Sequence, residues 1–141
     1  LIKASLLHLA LGVGLGGLIL SAKGMPALFG WSWLLLSAHI QLVVGGWLLQ
    51  LALGVAYWIL PRLSGAGDRG RAGWAWLSFG ALNLGVCGAA LILPVWSLYR
   101  AEWLAALLGL AALLQVVAIA AFIWHAWPRL QPTPAPAALR H

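Results

Sequence analysis

Four long apolar stretches, none with a charged residue in its interior, divide this chain. They run from about residue 4 to 22, 31 to 60, 73 to 96 and 102 to 127. A helix needs about 20 mostly apolar residues to cross roughly 30 Å of hydrocarbon. Inside a bilayer the backbone must also satisfy its own hydrogen bonds, which a helix does. The expected fold is therefore all-α, a four-transmembrane-helix bundle over residues 1–127. Residues 128–141 are expected to form a Pro-rich, mobile C-terminal tail, since Pro132, Pro134 and Pro136 forbid a helix there. The breaks between stretches carry turn chemistry. They are Lys23-Gly24-Met25-Pro26, the run from Pro61 to Arg71, and Ser97-Leu98-Tyr99-Arg100.

Composition agrees with a bilayer as solvent. Only 7% of the 141 residues are charged and 64% are hydrophobic, against roughly a quarter charged in soluble domains. The net charge of +6 does not point to nucleic acid, because the basic side chains stand singly or in one short run without interleaved aromatics. Tryptophans gather at span ends (Trp31, Trp33, Trp74, Trp76, Trp96, Trp103, Trp124, Trp127), where an amphipathic ring suits the headgroup zone. Lys3, Arg62, Arg69, Arg71, Arg129 and Arg140 fall on one face of a four-span chain, and only Lys23 and Arg100 on the other. The positive-inside bias makes the richer face cytoplasmic, with both termini on it.

Three other signals narrow the field. Gly12-Val13-Gly14-Leu15-Gly16-Gly17 has the spacing of a dinucleotide-binding fingerprint, but that fingerprint needs a strand before it and a helix after it. Inside an apolar span, Gly12 and Gly16 read as small residues that admit a neighbouring helix, so no nucleotide is expected. The first span is longer than a signal-peptide core and is expected to be a membrane helix. A single cysteine, Cys87, excludes an internal disulfide and a Cys-rich zinc or iron–sulfur site.

Polar residues within the spans are the candidates for function. At 100° per residue His39, Gly46, Gln50 and Tyr57 fall on nearly one line of the second span. A shorter stripe of Trp76, Gly80, Asn83 and Cys87 marks the third, and the fourth carries Gln115. Helix–helix hydrogen bonding is the plainer account of Gln50, Asn83 and Gln115. Histidine can in addition ligate haem iron. His39 lies about two turns into the second span from the outer face. His8 and His125 stand near the opposite surface at matching depth, an alternative ligand pair, and His141 belongs to the tail.

The second span also resembles a known helix. Ala38-His39-Ile40-Gln41-Leu42, Gly45-Gly46-Trp47 and Gly54-Val55-Ala56-Tyr57-Trp58-Ile59-Leu60-Pro61-Arg62 are similar to the second helix of the haem–copper oxidase subunit I superfamily. The likeness is greatest to the branch of cbb3-type oxidases, nitric oxide reductases and NnrS. Trp74-Ala75-Trp76-Leu77-Ser78-Phe79 with Leu82-Asn83-Leu84-Gly85-Val86 resembles the following helix of small four-helix relatives. About half the chain is covered.

That resemblance implies haem b, with His39 as its axial ligand and Gly46, Gln50 and Tyr57 on the same face. It implies a multi-pass protein of a bacterial-type inner (plasma) membrane. The copper and high-spin haem histidines of the catalytic oxidases lie on later helices that this chain does not hold, so it is not expected to be catalytic alone. Gln41 stands where small relatives often carry a second His. The sixth ligand is then expected from a second copy in a homo-oligomer or from another membrane subunit, with Met25 a remote candidate. The functional expectation is a haem b-binding subunit of an electron-transfer (respiratory-type) or gas-sensing system. The alternative is a cofactor-free scaffold or accessory subunit of a larger respiratory or photosynthetic complex. Beyond the lipid bilayer and such subunits no partner is implied, and nucleic acid is not among them.

Overall fold

A computed structural model describes residues 1–61 and 72–130. The loop arginines 62, 69 and 71, the tail prolines, Arg140 and His141 lie outside the described residues. Four helices are long and apolar enough to cross a membrane: α1 (Ile2–Gly24), α2 (Pro26–Ile59), α3 (Ala72–Tyr99) and α4 (Glu102–Leu130). The all-α four-span architecture is thus the observed one.

Each boundary follows from local chemistry. Between α1 and α2 only Met25 leaves helical geometry, at φ −136° and ψ 67°. Pro26 then opens α2 at the first helical position, where its missing N–H would have had no partner. The second span therefore begins five residues earlier than hydropathy suggested. Between α3 and α4, Arg100 adopts φ 50°, and its N–H reaches back to the Trp96 carbonyl. Its guanidinium lies 4.6 Å from the centre of the Trp96 ring. A cation at a helix C-terminus is favoured by the helix dipole.

The pitch of α2 changes several times along its length. It starts as a turn of α-helix, tightens to 3-10 over Gly30–Leu35, resumes α over Leu36–Ile40 and widens to π over Gln41–Leu49. It ends as α over Gln50–Ile59. π geometry bonds i to i+5 and is usually confined to one turn. Here it occupies nine residues.

Neighbours in sequence are neighbours in space. α1 lies along the whole length of α2, α2 packs on α3, and α3 packs on α4. Lipid tails are as apolar as leucine, so the hydrophobic effect does not hold such helices together; close backbone approach does. A Cβ added at Gly85 would sit 2.7 Å from the Ala111 carbonyl oxygen of α4. At Gly12 it would meet Val43 at 2.7 Å. The buried core is correspondingly fine-grained, with Ala38, Leu42, Ala81, Leu82, Val86, Ala90 and Ala118. Large apolar side chains point outward instead, among them Leu84, Leu91 and Ile59. A soluble domain does not expose so continuous an apolar surface.

The expected tail begins too early. Trp127–Leu130 form a 3-10 turn continuing α4, and Arg129 within it is buried. Pro128 does not release the chain, because a fresh 3-10 turn needs no N–H from its second residue. What was expected of residues 131–141 lies outside the described residues.

Candidate functional site

The polar residues of α2 do not share one cluster. Apart from Gln41, they form three stations along the bundle, two against α1 and one against α4. The π segment contributes to that division, since residues across it no longer advance at 100° each.

The first station is His39. Its Nδ1 lies 2.7 Å from the Gly12 carbonyl oxygen of α1. A carbonyl only accepts, so Nδ1 carries the proton and Nε2 keeps a lone pair. Gly16, one turn along α1, lies under the ring. A Cβ there would come within 2.9 Å of Cε1 and 3.2 Å of Nδ1. The ring is half-buried, and Nε2 has no hydrogen-bond partner among the described residues. Gln41, two residues on, points elsewhere and donates to Gln115 Oε1 of α4 at 2.9 Å.

At the second station, His8 of α1 is buried against α2. Its Nδ1 is 3.1 Å from the Gly46 carbonyl oxygen and 2.9 Å from Gln50 Oε1, so it too carries its proton on Nδ1. Gly46 is obligatory at this contact, since a Cβ would lie within 2.6–2.8 Å of three His8 atoms. On the other side of the ring, the Cys87 thiol of α3 donates to Nε2 at 3.6 Å. Gln50 is fully buried, and its Nε2 has no hydrogen-bond partner among the described residues. Asn83, one turn from Cys87, donates to its own helix at Phe79.

Tyr57 marks the third station, at the end of α2. Its ring stacks on His125 of α4 with centroids 5.4 Å apart. Arg129 reaches across beneath it. Nε donates to the Pro61 carbonyl at 2.9 Å, while Nη2 donates to those of Leu60 at 2.6 Å and Tyr57 at 3.2 Å. Nη1 approaches His125 Nε2 at 3.3 Å. This guanidinium closes the carbonyl end of α2, where the dipole and unsatisfied oxygens favour a cation. Sequence reasoning missed it. The signal was its i+4 spacing from His125, masked by reading Pro128 as the end of the helix.

Several expected groupings are corrected by these placements. His8 and His125 do not stand at matching depth. His8 lies beside Gly46 and Gln50, and His125 beside Tyr57, seven residues or about 10 Å further along α2. α1 begins against Gly54, so α2 overhangs it by more than a turn. Met25, in the α1–α2 turn, is fourteen residues from His39 in α2, roughly 20 Å along the axis, and the two are not brought together. Of the three residues expected on one face with His39, Gly46 and Gln50 meet at one station and Tyr57 at another. A cavity of about 440 Å³ opens between Ile2, Gly54, Tyr57, Trp76 and Phe79. It lies at the Tyr57 end, roughly 25 Å from the level of His39.

No protein-family model, curated protein or solved structure matches the chain. Among the described residues no group of three or more His, Cys, Asp or Glu side chains converges as a metal cage. Among those residues a metal would find at most two such side chains together.

Proposed function

We propose that this protein is a haem b-carrying membrane subunit of an electron-transfer or gas-sensing system, with His39 as axial ligand. One observation carries the reading. The His39 imidazole is fixed through Nδ1–H to a backbone carbonyl, with its Nε2 lone pair unspent at a half-buried position. Ligating histidines are oriented in this way, because the outer hydrogen bond sets the tautomer and raises the basicity of the bound nitrogen. Gly16 supports the reading, since any larger residue there would displace the ring. The resemblance of the second span to the oxidase helix points to the same histidine. His8 stands about 10 Å away in depth and His125 further still. The sixth position of the iron is then filled by a second copy, by another subunit, or by a gas. The chain itself sits in a bacterial-type inner membrane with both ends cytoplasmic.

A cofactor-free scaffold is the competing reading, favoured by the fact that the same His39–Gly12 bond ties α1 to α2. A reduced-minus-oxidised optical spectrum of protein purified from haem-replete cells separates the two. Haem binding gives Soret and α bands that disappear in His39→Ala while Gln41→Ala keeps them. A stable, colourless wild type refutes the haem reading.

A further inference from the structure

We infer that His8 and Cys87 form a binding site for a soft monovalent cation, Cu(I), in the middle of the membrane. The two donors come from different helices and meet at 3.6 Å. An ion about 2.3 Å from a thiolate sulfur and about 2.0 Å from an imidazole nitrogen fits between atoms at that separation. The angle at the ion is roughly 115°, between tetrahedral and trigonal, which leaves a further position for a small exogenous ligand.

The surroundings are arranged for a ligand more than for packing. His8 is 6% exposed, and its Nδ1–H is spent on the Gly46 carbonyl and Gln50 Oε1. Its Nε2 lone pair is thereby aimed at Cys87. Gln50 is 0% exposed and holds the ring from its Nδ1 side, so that the imidazole is fixed with Nε2 towards Cys87. Cys87 is exposed on the flank of α3, which provides an entry path from the lipid side.

Charge decides which metal. Binding breaks the Cys87 S–H bond and forms S–Cu, and the proton leaves to solvent. A thiolate with Cu(I) is electrically neutral, whereas the same donors with a divalent ion leave a positive charge at mid-membrane. An uncompensated charge there costs several kcal/mol. Thiolate donors also select Cu(I) by softness.

The test is an anaerobic titration of the detergent-solubilised protein with Cu(I) against a competing colorimetric chelator, followed by copper X-ray absorption. The expected result is one copper per chain, one sulfur near 2.3 Å and one nitrogen near 2.0 Å, with one proton released. In Cys87→Ala the affinity should fall by more than the 10- to 100-fold that outer-shell partners carry. Cys87 is exposed, so this variant keeps its fold, which its thermal unfolding verifies. Copper retained undiminished in Cys87→Ala, an absorption spectrum without sulfur, or a wild type that cannot hold copper against the chelator each overturns the proposal. Repeating the titration in His39→Ala keeps haem from contributing, so either conclusion can fail alone.

Discussion

Replacing Gly85 by Ala and replacing Gly80 by Ala are the same chemical change on the same helix, and they should have opposite effects. A Cβ at Gly80 meets nothing within 4 Å. At Gly85 it meets the Ala111 carbonyl oxygen at 2.7 Å, Gln115 Cγ at 2.8 Å and Gln115 N at 3.2 Å. Two of these three are backbone atoms of α4, so no side-chain rotation relieves the clash. The oxygen is about 0.7 Å short of an ordinary contact of 3.4 Å, and α3 and α4 must separate locally by that much. Overpacking of this kind costs about 1–3 kcal/mol. The gain from removing a helical glycine, about 0.5–1 kcal/mol, is common to both variants and cancels between them. Gly80→Ala should therefore be more stable than Gly85→Ala by about 1–3 kcal/mol. Equilibrium unfolding in mixed micelles, followed by far-UV circular dichroism, measures the difference. If Gly85→Ala is as stable as Gly80→Ala, the close α3–α4 approach described here is wrong.

Arg129→Ala removes a buried donor set from three carbonyls and should destabilise by roughly 2–4 kcal/mol in the same assay. Arg129→Lys should recover less than half of that, because a single ammonium cannot reproduce the planar fork. Gln41 and Gln115 should show a coupling of about 0.6–2 kcal/mol in a double-mutant cycle to Leu, whereas Gln41 paired with Asn83 should show none. Reporter fusions after Arg140 should be active on the cytoplasmic side, and a reporter inserted beside Gly24 on the opposite side. The reverse pattern would refute the orientation.

The four spans were legible because a bilayer imposes a length and an apolarity that few other folds require. What the sequence hid was geometry within those spans. The π segment looks like any other apolar stretch, and Gly45-Gly46 mark small size without marking pitch. A straight 100° projection therefore grouped His39 with Gln50 and Tyr57, although each meets a different partner. His8 was placed near the surface by counting from the start of its own helix, and only the overhang of α2 shows that it lies deeper. The His8–Cys87 contact joins residues 79 apart in sequence, and no periodicity within one helix reveals such a pair. His39 is the reverse case. Its residue type and its depth made it a candidate before its ring orientation was known.

The tight turns at Met25 and at Arg100-Ala101 lie on the same face of the bundle, opposite the end of α2 and the start of α3. In the proposed orientation these two turns face outward, and the chain would enter the bilayer as two helical hairpins. Each hairpin would then carry across only one or two non-helical residues, with Lys23 beside one turn and Arg100 and Glu102 beside the other. Each cation costs about 3 kcal/mol at the centre on the insertion scale, against spans of mean hydropathy 1.8 to 2.6. Insertion of each hairpin as a unit needs no long polar segment to be threaded across the membrane.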